Sequence, residues 1–345
     1  MNHPSTQSES PTDRTGENGV EAGLSAVARA AVPGASSADN VRRLTAGANQ
    51  ETWSFDAVTP TGSVPLILRR ARGGTLERAT GIGLETEARL IETVAATGAP
   101  VPRVLHVLTP ADGLGKGYVM LRIAGETIPR KILKNAEFGE VRPKLAAQCG
   151  QVLAALHAVP AATATGLAAF TPAERLEWLH ERYRATGQTS AVVSWAFAWA
   201  RRNAPPPPAQ AVLVHGDFRN GNLMIGPEGI RAVLDWENAH LGDPAEDLGW
   251  LCIPSWRFGN LDLPVGGFGT REDMLAAYAA AGGTVPSPER LRFWEVYGTL
   301  YWGTVCARSV EEFRGGSDPS LERAMIARRL SECEIDLLRL LAPRD

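Results

Sequence analysis

The sequence predicts an α+β fold of two lobes, with a small antiparallel β-rich lobe followed by a larger α-helical lobe. Three observations support this fold class. Short β-like runs separated by turns dominate the chain up to residue 123, and amphipathic helical runs dominate it from residue 141. The 345 residues also suffice for two lobes with a substantial core. We assign 23–123 to the N-terminal lobe and 124–345 to the C-terminal lobe.

The first residues differ in composition from both lobes. Residues 1–18 consist mainly of Ser, Thr, Pro, Glu and Asp and contain no apolar core. Such a segment cannot bury enough surface to offset its ordering entropy, and it lacks the apolar stretch of a signal peptide. We predict a disordered tail over 1–22.

The N-terminal lobe is predicted to contain a mostly antiparallel sheet and one helix. The helix covers 84–97, because apolar residues recur at helical spacing from Leu84 to Ala95, and Gly98 and Pro100 end the pattern. The strand candidates are 41–45, 52–58, 64–70, 104–108 and 118–123.

The C-terminal lobe is predicted to be mainly helical. A buried strand at 211–214 and a small hairpin over 222–225 and 230–234 interrupt the helices. These short strands flank the most polar loops of the lobe, so we expect them to position functional side chains. The helix candidates are 141–159, 172–184, 190–203, 288–313 and 319–341.

Composition and charge exclude several classes of protein. Lys plus Arg is 35 and Asp plus Glu is 38, so the net charge is −3 and there is no electrostatic footprint for nucleic acid. No apolar run is long enough to cross a membrane. The four cysteines lack metal-ligand spacing, which predicts buried thiols in a reducing compartment. We expect a cytoplasmic protein, and the sequence does not predict its oligomeric state.

The segment 213–223 carries the strongest chemical signal. A strand leads into Asp217, and Asn222 follows five positions later. A second apolar strand then ends at Asp235. Phosphoryl transfer from a nucleotide needs one carboxylate that acts on the attacking hydroxyl, and an amide oxygen with a second carboxylate that hold Mg²⁺.

These residues resemble a known family. Segment 215–222 reads His-Gly-Asp-x-x-x-x-Asn and 235–237 reads Asp-Trp-Glu, as in the aminoglycoside phosphotransferase and choline kinase superfamily, which has the protein-kinase-like fold. The resemblance implies that ATP is the donor, that Asp217 is the catalytic base, and that Asn222 and Asp235 bind Mg²⁺. His215 could be a catalytic acid, but the family pattern favours a role in orienting the loop.

The resemblance also extends to residues 242–248. Asp243 precedes a proline, as an N-cap does, and Glu246 stands at the capping-box position. Asp247 lies one residue further along the predicted helix. We favour a role for these acids in starting the helix and anchoring loops over a role in chemistry.

In the N-terminal lobe, the resemblance implies contacts with the nucleotide phosphates. Gly47 and Asn49 lie in a turn where a kinase glycine-rich loop would cover the phosphates. Arg69 stands where many relatives have a phosphate-binding Lys, and its guanidinium can still bind phosphate. Glu87, on the predicted helix, would be its ion-pair partner.

By the same resemblance, residues 119–123 would form the hinge between the lobes. By resemblance, the backbone of Met120 and Leu121 would bind the edge of the adenine ring. The sequence does not distinguish ATP from GTP as the donor.

Further motifs resemble the kinase domain that is fused to certain acyl-CoA dehydrogenases. They include segments 239–244, 247–250 and 256–259. This resemblance implies that the acceptor is a hydroxyacyl-CoA. The region 255–270 contains Trp256, Arg257 and Phe258 but only one acid. We therefore expect these three residues to bind the small-molecule hydroxyl acceptor, and expect the acceptor to be anionic or apolar rather than polycationic.

Two alternatives remain open. The first is a kinase for aminoglycosides or other small alcohols. The second is a catalytically inactive pseudokinase that serves as a binding module, an interpretation that the Arg69 replacement keeps open and that the intact Asp217, Asn222 and Asp235 oppose.

Overall fold

The structure is a computed structural model that describes residues 12–46, 50–71 and 81–342. The chain divides into two compact units. The first contains the residues up to Glu92 together with Pro102–Arg122, and the second contains Thr93–Val101 and the residues from Ile123 onward. The boundary at 122/123 differs by one residue from the predicted one, and the second unit takes in a segment, Thr93–Val101, that we assigned to the N-terminal lobe.

The regular elements of the described residues are numbered in chain order. The α-helices are α1 (Thr12–Ala31), α2 (Leu84–Ala95), α3 (Pro129–Lys134), α4 (Leu145–His157), α5 (Pro172–Ala185), α6 (Ala191–Arg202), α7 (Ala245–Leu251), α8 (Arg271–Ala280), α9 (Pro288–Arg314), α10 (Leu321–Ala327) and α11 (Leu330–Leu341). The strands are β1 (Ser37–Ala46), β2 (Gln50–Thr59), β3 (Gly62–Ala71), β4 (Val104–Val107), β5 (Gly117–Leu121), β6 (Val212–Val214), β7 (Leu223–Gly226), β8 (Gly229–Val233) and β9 (His240–Gly242).

The first unit is built on a five-stranded antiparallel sheet. Its strand order is β1-β2-β3-β5-β4, so the three N-terminal strands form a meander and β5 lies between β3 and β4. Trp53, Phe55, Leu66 and Leu68 are buried in one core cluster of this unit. The predicted antiparallel sheet is confirmed.

Helix α1 packs its apolar face into the same core. Val20, Leu24, Val27 and Ala28 recur at helical spacing and are buried with the sheet residues. We predicted a disordered tail over 1–22, and for residues 12–22 that prediction is wrong. The polar composition of the first 18 residues hides the start of an amphipathic helix whose buried residues include Val20. Residues 1–11 lie outside the described part of the chain.

The second unit is mainly helical, as predicted. Its core gathers around the 27-residue α9, which buries Phe293, Trp294 and Tyr297 against α5, α6, α7 and α11. The predicted helix at 319–341 is two helices, because the chain turns at 328–329. Residues of α11 are buried after that turn, whereas none of α10 is.

Two short sheets in the second unit hold its polar loops. Strand β6 pairs with β9, and β7 pairs with β8 as a hairpin. All four cysteines are buried and free. Within the described residues, no helix has the length and apolar character needed to span a membrane.

Candidate active site

The loop after β6 is held in a conformation that only glycine accommodates at its second position. Gly216 has φ +78°, and a Cβ atom there would lie 2.5 Å from the carbonyl oxygen of Asn238. The backbone thus turns sharply at the end of a buried strand, against the segment that leads into β9. This turn brings Asp217 out of the strand and into the loop.

Asp217 accepts three side-chain hydrogen bonds. Its Oδ1 accepts one from Arg219 Nε at 3.0 Å and one from Trp250 Nε1 at 2.9 Å. Its Oδ2 accepts one from Asn222 Nδ2 at 2.7 Å, and the same amide nitrogen also donates to the Asp217 carbonyl at 2.9 Å. The carboxylate is therefore fixed in orientation, while its side chain stays 14% exposed.

Burial, together with the negative charge of Asp235, raises the pKa of Asp217 to about 6 against the opposing effects of Arg219, Asn222 and Trp250. A base with a pKa near the working pH combines a useful fraction in the charged form with a useful proton affinity. Shifts of this size are typical of functional carboxylates.

His215 uses both ring nitrogens within the loop. The Asp217 N–H donates to Nδ1 at 3.2 Å, so the proton is on Nε2, which donates to the Leu234 carbonyl at 3.1 Å. Burial lowers the pKa of this imidazole, which keeps it neutral. These contacts hold His215 within the loop, and its role as a positioning residue rather than a catalytic acid stays a prediction.

Asp247 anchors the loop from helix α7. Its carboxylate accepts the backbone N–H groups of His215 at 2.8 Å and Gly216 at 3.0 Å. It also accepts from His157 Nε2 at 3.3 Å, and His157 Nδ1 accepts from the Tyr278 hydroxyl at 2.8 Å. Asp247 thus has the anchoring role that we favoured.

Glu246 has a different role from the one we predicted. Its Oε1 accepts from Arg175 Nη2 at 2.6 Å and its Oε2 lies 3.1 Å from His240 Nε2, so it forms no capping box with Asp243. The side chain is drawn away because a buried guanidinium of α5 needs a counter-charge. Asp243 does bind the start of the helix, accepting from the Ala245 N–H at 3.0 Å.

The Glu246–Arg175 pair predicts a stability loss in acid. Burial opposes ionisation, but Arg175 and His240 hold the pKa of Glu246 at about 2, below its ordinary 4.5. Its contribution is therefore complete above pH 4.5 and is lost as the pH falls toward 2. We expect the free energy of unfolding in urea to decrease over this window, and the decrease to be smaller in Glu246→Gln. The Glu246→Gln variant leaves the buried Arg175 without its counter-charge, so the double variant Arg175→Met/Glu246→Gln controls for that unpaired charge. The exposed Glu181→Gln controls for the loss of one carboxylate. If the free energy of unfolding falls equally steeply with pH in the wild type and in Glu246→Gln, Glu246 is not the source of the stability loss.

Asn222 and Asp235 lie at the same end of the β7–β8 hairpin. Leu223 pairs with Val233, and the Leu234 N–H donates to the Asn222 carbonyl at 2.8 Å. Asp235 follows with φ +67°, a left-handed conformation that Asp tolerates better than most residues. The hairpin register therefore fixes both predicted metal ligands.

The oxygen atoms of Asn222 and Asp235 are suitable ligands for Mg²⁺. Because the Asn222 amide nitrogen is used by Asp217, its oxygen is the atom that remains for a cation. Asp235 adds a carboxylate, and oxygen ligands of this kind suit Mg²⁺. Among the described residues no cluster of three or more His, Cys, Asp or Glu could hold a metal. Mg²⁺ does not need one, since it is usually bound by one or two carboxylates, waters and substrate phosphates.

In the first unit, Arg69 and Glu87 form the predicted ion pair. Arg69 Nη2 lies 3.5 Å from Glu87 Oε1 and donates to Gln50 Oε1 at 2.6 Å. The Tyr118 hydroxyl donates to the same Glu87 oxygen at 3.1 Å. The role of the pair toward a nucleotide stays a prediction. Gly47 and Asn49 lie outside the described residues.

The predicted hinge residues belong to an interior strand. Met120 pairs with both β3 and β4, and the Leu121 N–H donates to the Arg103 carbonyl at 2.9 Å. The next N–H, of Arg122, donates to the Pro65 carbonyl. These N–H groups are therefore used by the sheet, and an adenine contact by Met120 or Leu121 stays a prediction.

The three predicted acceptor residues differ in their surroundings. Trp256 is 4% exposed and packs on Trp250, with ring centroids 5.3 Å apart. Arg257 donates to the carbonyls of Cys252 and Leu261, which gives it a role in holding its own loop. Phe258 is 40% exposed. Their contact with an acceptor stays a prediction.

Two residues around Asp217 were not predicted. Trp250 reaches it from α7, 33 positions along the chain, and no local pattern signals that contact. Arg219 lies two positions after Asp217, and its guanidinium stacks 4.7 Å from the Trp256 ring centroid. Its position between Asp217 and Asn222 in the sequence was the signal that could have indicated its contact with Asp217.

A comparison with known families decides the assignment. The family model described as "Phosphotransferase enzyme family" matches residues 40–294, which include the whole loop and both predicted metal ligands. The chain belongs to the phosphotransferase enzyme family. It is thus a phosphotransferase, and the resemblance stated from the sequence is confirmed.

Curated relatives of this phosphotransferase carry further sequence. Mouse acyl-CoA dehydrogenase family member 10 is 31% identical over 202 residues, which are 54% of this chain and 18% of the mouse protein. Chicken acyl-CoA dehydrogenase family member 11 is 24% identical over 330 residues, 85% of this chain and 41% of that protein. The chain thus spans less than half the length of these relatives.

Solved structures confirm the kinase-like fold. A Ralstonia eutropha protein assigned as an aminoglycoside phosphotransferase aligns with a TM-score of 0.71 at 20% identity, covering 92% of this chain and 97% of that one. A choline/ethanolamine kinase family protein from Mesorhizobium loti aligns with a TM-score of 0.61 at 22% identity, covering 95% and 94%. At these identities the likeness concerns the fold alone.

Proposed function

We propose that this phosphotransferase transfers the γ-phosphoryl group of ATP, with Mg²⁺, to a hydroxyl of a small molecule, and that the acceptor is a hydroxyacyl-CoA thioester. The observation that carries the proposal is the Asp217 carboxylate. It is oriented by three donors, has a pKa raised to about 6, and lies beside the two predicted metal ligands. A related aminoglycoside phosphotransferase has been solved with AMP-PNP and hygromycin B, which supports an ATP-type donor.

The hydrogen bonds of Asp217 leave one oxygen lone pair for the acceptor. Oδ1 already accepts from Arg219 and Trp250, whereas Oδ2 accepts only from Asn222. Each carboxylate oxygen has two lone pairs, so the acceptor hydroxyl would donate to Oδ2. Asp217 would take the hydroxyl proton as the acceptor oxygen bonds to the γ-phosphorus and the bond to the β–γ bridging oxygen breaks, releasing ADP.

Asn222 and Asp235 would hold the metal. When bound, Mg²⁺ neutralises the charge that develops on the phosphates. Asn222 would have a double role, because its nitrogen orients Asp217 while its oxygen would be a ligand of the cation. Arg69, fixed by Glu87 and Gln50, is proposed to bind phosphate oxygens in place of a Lys.

The acceptor class is supported by charge and by relatives. The region 255–270 has one acid, whereas a polycationic aminoglycoside would need several carboxylates to desolvate its amines. The relatives named acyl-CoA dehydrogenase family members carry a matching segment within a longer protein. A hydroxyacyl-CoA is therefore the acceptor we propose over an aminoglycoside.

An acceptor screen with ATP and Mg²⁺ tests the proposal. We expect ADP release and a phosphorylated product with 4-hydroxyacyl-CoAs, and little turnover with kanamycin, choline or homoserine. Each uncompensated desolvated amine costs on the order of several kcal/mol, and each 1.36 kcal/mol is about tenfold in rate. A higher kcat/KM for kanamycin would favour the aminoglycoside alternative. Magnesium-dependent nucleotide binding without turnover on any acceptor would favour the pseudokinase alternative.

A further inference from the structure

We propose that Arg219 is a specificity-determining residue that binds a carbonyl or carboxylate oxygen of the acceptor and selects against cationic acceptors. This inference rests on the proposed function, since it concerns the hydroxyl substrate on which Asp217 acts.

The guanidinium of Arg219 is held at the catalytic carboxylate. Its Nε donates to Asp217 Oδ1 at 3.0 Å, and its Cζ lies 4.7 Å from the centroid of the Trp256 ring. On another side, its Nη1 lies against Gly221, where an added Cβ would come within 2.5 Å. Gly221 has φ +123°, so both its backbone and the space beside it favour glycine.

The Nη edge of this guanidinium is available to a ligand. Within the described part of the chain, neither Nη atom donates a hydrogen bond to the protein, and the side chain is 25% exposed. An arginine fixed through Nε and one ring face presents its remaining N–H groups as a rigid fork, which suits a carboxylate or carbonyl oxygen.

The ring that Arg219 contacts carries a second unused donor. The Trp256 ring on which Arg219 stacks has an indole N–H that is buried without a hydrogen-bond partner among the described residues. Buried donors are nearly always paired in native proteins. An acceptor oxygen that reaches this N–H would give it a partner.

Arg219 places a positive charge where the acceptor is proposed to bind. Its Nε lies 3.0 Å from the carboxylate that would receive the acceptor hydroxyl. The acceptor hydroxyl must nevertheless bind within one side chain of this positive charge. An acceptor with an ammonium group here would be repelled, whereas one with an acyl oxygen would be attracted.

The test compares acceptors of matched length and different charge. The probes are 4-hydroxybutyrate, 1,4-butanediol and 4-amino-1-butanol, with 4-hydroxybutyryl-CoA as the thioester. The variants are Arg219→Gln and Arg219→Lys, with the exposed Arg202→Gln as the control for loss of one positive charge. The readout is the ratio of kcat/KM for 4-hydroxybutyrate to that for 4-amino-1-butanol, because any effect of Arg219 on Asp217 cancels in a ratio.

We expect Arg219→Gln to lower this ratio by about 10- to 100-fold, as the loss of a charge-assisted hydrogen bond would do. Arg219→Lys should give an intermediate value and Arg202→Gln the wild-type value. If Arg219→Gln slows every acceptor equally and the ratio is unchanged, Arg219 acts only on Asp217 and the inference is wrong while the proposed function stands. If the wild type binds MgATP but phosphorylates no probe, both are wrong.

Discussion

Replacement of Asp217 by asparagine is expected to reduce kcat by about 10²- to 10⁴-fold, the range typical of general-base assistance. The amide keeps the shape of the carboxylate and can still accept from Trp250 and Arg219. It cannot take a proton from the acceptor hydroxyl. Single-turnover kinetics with saturating ATP would measure the effect on the chemical step itself.

The contact with Asn222 sets the control for this variant. With an amide at 217, an N–H group can face Asn222 Nδ2, and Asn222 would then rotate to present its oxygen. That rotation would remove the oxygen from the metal, so MgATP affinity must be measured beside kcat. Trp250→Phe removes one donor to Asp217 and leaves the base in place, so it should lose far less activity. If chemistry is rate-limiting and the Asp217→Asn variant keeps a kcat within about threefold of the wild-type value, Asp217 is not the base.

Replacement of Asp235 by asparagine should reduce kcat/KM for MgATP by at least about a hundredfold, because an anionic metal ligand is lost. We choose asparagine because Asp235 has φ +67°. Asparagine tolerates this conformation, whereas alanine would add a backbone cost of about 1–2 kcal/mol. The weakened step is metal binding, so high Mg²⁺ should restore part of the activity.

Titration of activity with Mg²⁺ distinguishes this effect from a loss of folding. The apparent Mg²⁺ requirement should increase in Asp235→Asn and stay unchanged in Asp262→Asn, which removes an exposed carboxylate elsewhere in the second unit. Unchanged metal dependence in Asp235→Asn would refute its assignment as a ligand. Asp235→Ala, compared by urea unfolding, would measure the backbone strain separately.

The proximity of Asp217, Asn222 and Asp235 could be predicted from the sequence because these residues are close along the chain. Asp217 and Asn222 are five positions apart in one loop, and a four-residue strand, a tight turn and a five-residue strand separate them from Asp235. Side chains this close along the chain can be placed together by spacing alone. The sheet and the helical second unit followed in the same way from local periodicity.

The surroundings of Asp217 could not be predicted, because they depend on tertiary packing. Trp250 and Asp247 reach the loop from α7, and His157 reaches Asp247 from α4. Arg257 shows what composition leaves out. Its charge indicated an acceptor contact, which stays a prediction, but composition did not indicate that its guanidinium is bound to the carbonyls of its own loop. Residue type alone does not separate a ligand-binding arginine from one that closes a loop.

Helix α1 has a practical consequence for preparing the isolated enzyme. The family match begins at residue 40, but the helix that covers the core of the first unit ends at Ala31. A chain trimmed to the family boundary would lose Leu24, Val27 and Ala28 and leave apolar sheet residues such as Phe55 open to water. Contiguous apolar surface of this kind promotes aggregation. Expression limits drawn from sequence similarity would therefore cut through a hydrophobic core, and poor solubility of such a fragment would say nothing about its catalytic residues.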